Sequence, residues 1–228
     1  MLKLWGRPTS TCTQRVLWTL TEAEVPYELT LASATMGAKG HVWLGHTPYG
    51  GVDTPTYFAM NPNGSIPAID DDGFILWESN AIVAYVARRY APAKLFGGSE
   101  QTFAHSLQWM MWTNYSLEPA MSALINHLER LPVEKRSAQV VEEHRKVMVE
   151  KMALLEGQFA RSHYLAGDEF SIADVPPAIA IHRFKHCNLE RPRMPRLEDW
   201  LARLGERDRG GRYINRNAAC PRWPSRIS

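Results

Sequence analysis

Hydrophobic residues change their period along the chain, and those changes mark out its elements. Leu2 to Trp5 is a short apolar run closed by Gly6 and Pro8, which predicts a strand running into a loop. From Cys12 onward Val16, Leu20 and Ala23 recur at spacings of four, four and three, predicting a helix with one apolar stripe and with Gln14, Arg15 and Glu22 off it. Pro26 to Thr30 alternates as a second strand. From Leu31 to Thr56 no period is visible, and the stretch is longer than a compact domain usually spends on a connection, so it points to a functional loop. Asn61-Pro62-Asn63-Gly64 is a turn signal. After it, Ile66–Ile69 and Phe74–Trp77 flank the turn residues Asp70 to Gly73 and predict a hairpin. Helix resumes with Ser79 as its expected N-cap and Ile82, Val83, Tyr85 and Val86 behind it.

Ala91 to Gly98 is a breaker-rich link, and the boundary between two domains, 1–90 and 91–228, is expected there. Beyond it the spacing predicts helices around 101–128, 134–161, 171–185 and 196–205. The last part is irregular and basic: residues 191–228 carry ten Arg against four acids. Such a run is usually a solvated face.

Composition narrows the class without naming a function. The chain has 228 residues, 45% hydrophobic and 22% charged, an ordinary globular mix that excludes a disordered or fibrous protein. A formal net charge of +2 gives no reason to expect nucleic acid as a partner. Cys12, Cys187 and Cys220 form no CxxC pair, so neither a disulfide scaffold nor a metal site is expected. The first residues contain no apolar stretch of signal-peptide length, and no run is long enough to cross a bilayer; the expectation is a cytoplasmic protein that does not enter a membrane.

Three blocks carry candidate chemistry, and a fourth concerns stability. Ser10 stands just before the first predicted helix, where unpaired N–H groups and the helix dipole favour negative charge. A hydroxyl there suits a thiolate as well as it suits an ordinary N-cap. The segment Pro8-Thr9-Ser10-Thr11-Cys12-Thr13-Gln14-Arg15-Val16 resembles the active-site segment of serine-type glutathione transferases. Three further blocks agree with that family in order: Asn61-Pro62-Asn63-Gly64-Ser65-Ile66-Pro67, Glu78-Ser79-Asn80-Ala81-Ile82 running to Tyr85, and Ser171-Ile172-Ala173-Asp174-Val175. The likeness covers about residues 1–205 and is nearest to the bacterial zeta-, theta- and nu-like branches.

The resemblance implies a thioredoxin-like α/β domain followed by an all-α domain, in a homodimer that takes glutathione as co-substrate and a small hydrophobic electrophile as substrate, a detoxifying role. It implies that Ser10 stabilises the glutathione thiolate, with Thr11 and Cys12 beside it. Cys12 also invites a redox reading, although cysteine-type relatives carry their Cys at the position of Ser10. Ile66-Pro67 resembles the family's cis-proline pair, whose first residue aligns the cysteinyl part of glutathione through its backbone, and Ser65 adjoins it. Glu78 and Ser79 would hold the γ-glutamyl end, the acid meeting an ammonium and the helix N-terminus a carboxylate. Ser171 and Asp174 form an S-x-x-D capping box, which concerns stability. Trp109, Met110 and Thr113 lie on the helix that, by resemblance, faces the electrophile cleft. Most of the residues crowded over 109–115 are expected to be core or dimer contacts, since an aromatic stripe is more often packing than a pocket.

Two departures bear on the carried-over site. Met111 stands where relatives often have an acid, and Ser65 is too short to reach the glycine carboxylate of glutathione. Lys39, His41 and His46, with Trp43 and Tyr49 to shape a lid, are the substitutes that the long connection offers. Two alternatives stay open: a glutathione-dependent isomerase or peroxidase, and a non-catalytic binding protein on the same scaffold.

Overall fold

The structure, a computed structural model, describes residues 1–33, 50–96 and 98–214. The chain divides into two compact units, one formed by residues 1–90 together with 207–214 and the other by Ala91–Glu206. Sequence reading groups everything past residue 91; the segment from Arg207 instead returns to the first unit.

In the first unit β1 (Leu2–Gly6), α1 (Thr11–Glu22) and β2 (Tyr27–Leu31) are followed by a short helix α2 (Pro55–Met60), then β3 (Ala68–Asp71), β4 (Phe74–Trp77) and α3 (Ser79–Tyr90). The sheet order is β2-β1-β3-β4, with β1 and β2 parallel and the β1–β3 and β3–β4 pairs antiparallel. This is the thioredoxin-like arrangement. β1 alternates as a half-covered strand should, Leu2 and Leu4 buried and Lys3 exposed. Helix α1 packs against α3, and Val16, Leu20, Ile82, Val83 and Val86 are fully buried with Leu4 and Ile69. At the far end of the hairpin the Asp71 carboxylate accepts hydrogen bonds from the hydroxyls of Tyr85 (2.6 Å) and Tyr90 (2.7 Å) and pairs with Arg89 (3.3 Å), tying β3 to α3.

The single stripe predicted for α1 is too narrow. Arg15 and Glu22, placed off it, are 1% and 2% exposed. Arg15 donates to Asn80 Oδ1 in α3 at 3.3 Å. Glu22 accepts from Trp18 Nε1 and from both arms of Arg207. The returning segment continues this contact: Tyr213 stacks on Trp18 with ring centroids 5.9 Å apart, Arg209 pairs with Glu24, and Arg212 donates to Thr21. Gly210 passes so close to Trp18 and Glu22 that a Cβ there would overlap both side chains.

The named elements described in the second unit are helices: α4 (Glu100–Trp112), α5 (Glu118–Ile125), α6 (Ala138–Gln158), α7 (Val175–His186) and α8 (Pro195–Gly205). Predicted as one helix over 101–128, the first run is broken by π-helical turns at Thr113–Leu117 and Asn126–Arg130. Pro119 explains the first of these, because it has no N–H to give the Tyr115 carbonyl and its ring crowds that carbonyl. The Ser171–Asp174 box is half made. Asp174 accepts the Ser171 N–H (3.2 Å), but Ser171 Oγ takes the Ala173 N–H, and α7 begins at Val175. Fully buried, Asp174 also accepts from Leu165 N and Trp200 Nε1, so the motif is part of the core.

Candidate active site

Strand register brings the candidate residues of the first unit to one edge of the sheet. Trp5, the last residue but one of β1, lies opposite Ala68 at the start of β3, and Ala68 lies opposite Trp77 at the end of β4. The segments just after Trp5, just before Ala68 and just after Trp77 therefore sit at the same edge, and they carry Ser10 to Cys12, Ser65 to Pro67, and Glu78 with Ser79. β2 ends there too, its Leu31 beside Gly6, and an isolated bridge between Ser33 and Gly50 closes the ends of the 34–49 segment. The expected contributions of Lys39, His41 and His46, and of Trp43 and Tyr49, lie outside the described residues.

Ser10 is the N-cap of α1, with extended backbone angles and its Oγ accepting from Thr13 N at 3.4 Å. Capping uses a lone pair and leaves the hydroxyl hydrogen unspent. The N-cap reading and the thiolate reading are thus compatible in one side chain. Thr11 and Cys12 belong to the first turn, both half-buried, and Cys12 is a free thiol.

The Ile66–Pro67 peptide is cis, as the resemblance implies, with Ile66 half-buried and Pro67 buried. Ser65 is exposed, and its backbone carbonyl accepts two hydrogen bonds of 2.7 Å, from Tyr57 Oη and from Asn61 Nδ2. The turn before it needs Gly64. Its φ is +55°, and a Cβ would stand 2.9 Å from the Phe58 ring and 3.3 Å from the Val52 carbonyl. Tyr57 and Asn61 are nearly or wholly buried, and sequence reading does not single them out as site residues. Asn61 is visible there only as a turn residue, and Tyr57 falls in the short stretch between the long connection and that turn, to which no element is assigned. Burial, opposed by the Asn61 hydrogen bond, pushes the Tyr57 hydroxyl up to about 12, so it stays a donor.

The start of α3 is shifted by one residue from expectation. Glu78, not Ser79, is the cap: its carbonyl accepts from Ile82 N, and its Oε2 accepts from both Asn80 N and Ala81 N at 3.0 Å. Glu78 has φ +78°, a left-handed conformation uncommon for a residue with a side chain, and such outliers concentrate at functional sites. Ser79 is the first helical residue and is 3% exposed. Two of the N–H groups expected for a substrate carboxylate are thus taken by Glu78, whose carboxylate is held at the site edge.

The side chains that the resemblance assigns to an electrophile are covered in the structure. Met110 and Thr113 have no exposed surface and Trp109 is 8% exposed; Thr113 Oγ1 bonds back to the Trp109 carbonyl at 2.9 Å, and Trp109 meets Trp112 edge-on. These side chains fill interior volume. The exposed members of the same stretch are Met111 and Tyr115, four residues apart.

Comparison with known proteins agrees with this geometry. The glutathione S-transferase N-terminal domain family matches residues 9–89, and its C-terminal domain family matches 138–203. The chain is 35% identical over 209 residues to glutathione S-transferase GstB of Escherichia coli, covering 91% of this chain and 94% of that one. It is 32% identical over 181 residues to glutathione S-transferase 3 of Zea mays, covering 78% and 76%. Among solved structures, the theta class glutathione S-transferase of Xanthomonas axonopodis pv. citri with glutathione bound superposes with a TM-score of 0.82 at 32% identity, over 94% of this chain and 97% of that one. On these matches and on the fold, the chain belongs to the glutathione S-transferase family.

Proposed function

We propose that this transferase joins the thiolate of glutathione to a small hydrophobic electrophile, with Ser10 donating its hydroxyl hydrogen to the sulfur. Sulfur attacks an electrophilic carbon and the S–C bond forms; in a substitution the leaving group departs with the electrons of the bond that breaks, and in an addition the displaced π pair stays on the product and takes up a proton from water. A free thiol has a pKa near 8.5, so a donor aimed at the anion raises the reactive fraction at neutral pH. The observation that carries this reading is the shared register row of Trp5, Ala68 and Trp77, which places Ser10, the Ile66 backbone and Glu78 at one edge. Ile66 aligns the cysteinyl backbone, and Glu78 meets the γ-glutamyl ammonium. Titrating the ultraviolet absorbance of the bound thiolate tests the assignment. The sulfur should ionise at lower pH on the wild-type protein than on Ser10→Ala; equal titration curves would remove Ser10 from the role.

The proposal extends to assembly and place. A symmetric homodimer, about twice the 25.9 kDa chain mass, is supported by the exposed apolar Phe58, Phe74 and Trp77 in the first unit. Sedimentation showing only monomer at micromolar concentration refutes it. Free Cys12 and Cys187 fit a reducing cytoplasm.

A further inference from the structure

We propose that Tyr57 and Asn61 are positioning residues for glutathione, acting through the Ser65–Ile66 peptide; this rests on the reading that the Ile66 backbone pairs with the cysteinyl part. Both lone-pair directions of the Ser65 carbonyl are occupied, by Tyr57 Oη and by Asn61 Nδ2, each at 2.7 Å. That peptide is planar and trans, so its C=O and its N–H point in opposite directions. Pinning the oxygen inward on two buried donors therefore fixes where the Ile66 N–H points. It also polarises that N–H, because hydrogen bonds in a chain strengthen one another.

Asn61 is held as firmly as the carbonyl that it holds. It is fully buried, its amide nitrogen reaches Ser65 Oγ as well (3.2 Å), and its Oδ1 accepts from the Asn63 N–H (3.0 Å) and Asn63 Nδ2 (3.1 Å). Both ends of the amide are used, which fixes its orientation. Tyr57 sits in a small core with Ala32, Val52 and Ala68, against which Trp5, Met60 and Ile66 pack. Its ring is thus built into the floor beneath the segment it steers. Four residues apart on α2 and its C-cap, the two side chains reach the same oxygen from one short helix. Tyr57 and Asn61 need not touch glutathione. Their effect is on the direction of one N–H.

The test uses the full-length protein with Tyr57→Phe, which keeps the ring and removes only the donor, and with Asn61→Ser as a second, smaller change. Two ligands are compared: glutathione, and an analogue whose cysteinyl carbonyl is reduced to a methylene and so accepts nothing from Ile66. Wild type should prefer glutathione. Each variant should lose about threefold to tenfold of that preference, the worth of one hydrogen bond, with the KM of the electrophile unchanged and native circular dichroism kept. The double variant should bind the two ligands almost equally. If wild type prefers glutathione and both variants prefer it just as strongly, the positioning role is wrong. If wild type itself does not distinguish the ligands, the underlying Ile66 contact is wrong and the inference falls with it.

Discussion

Arg207 grips Glu22 with two hydrogen bonds, Nε to Oε1 at 2.9 Å and Nη2 to Oε2 at 2.8 Å, across 185 residues of sequence. The carboxylate is 2% exposed and the guanidinium 23%, so this is a largely desolvated fork-to-fork pair. Trp18 Nε1 gives Glu22 a third donor at 3.1 Å. Removing one partner leaves a charge in a place that water does not reach, a worse state than having neither. Arg207→Ala should therefore destabilise the first unit by about 3 kcal/mol, read as a lower urea midpoint. Pairing it with Glu22→Leu should recover most of that loss. A double variant as unstable as the single one would show that the loss does not come from the uncompensated Glu22 charge.

That pair also shows why part of the fold is hidden in the sequence. A charge on a helix reads as solvent-facing unless its partner is near in sequence. The partners of Arg15 and Glu22 lie 65 and 185 residues away. The hairpin is legible because Ile66–Ile69 and Phe74–Trp77 flank turn residues that fix its register, and register alone assembles the site edge. Helix α2 is not, since six residues give too few turns to establish a period. The cap of α3 reads one residue late because Ser is the commoner N-cap and a positive φ at Glu78 leaves no compositional trace. Met110 and Thr113 carry an electrophile-facing expectation through the resemblance alone, since a helix with apolar residues all round does not declare which face is covered.

His182 in α7 gives a pH signature. Burial first, then the nearby His186 and Lys185, push its imidazole down to about 4 from an ordinary 6.5, and the His186 ring lies 4.4 Å away. Between those two values the unfolded chain binds a proton that the folded one refuses, so stability falls as pH drops through that window and is unaffected above it. His182→Gln should flatten this acid-side loss while leaving neutral stability close to wild type. Urea midpoints above and within the window make the comparison; equal acid losses in both proteins would assign the effect elsewhere.

Met110→Ala separates packing from substrate contact. With no exposed surface at Met110, truncation opens a cavity and should cost about 2–5 kcal/mol of stability. The variant that remains folded at low temperature should keep the wild-type KM for the electrophile. A raised KM with unchanged stability would return Met110 to the wall of the substrate site.

Ser10 and Cys12, at the start of α1, make different predictions for the chemistry. Ser10 spends only a lone pair on the 3.4 Å cap to Thr13 N, and a bond that long contributes little to stability, so Ser10→Ala should leave the fold intact. Its effect should fall on turnover, where losing a hydrogen bond to a developing or formed thiolate costs about 1–3 kcal/mol of transition-state stabilisation. Cys12, half-buried two residues further on, is a free thiol whose removal takes away packing and a soft contact; Cys12→Ala should lower turnover less. Rates at saturating glutathione compare the two variants directly, since each acts on the bound complex. If Cys12→Ala abolishes conjugation and Ser10→Ala does not, the sulfur of the protein takes part in the reaction and the hydroxyl of Ser10 is a cap and nothing more.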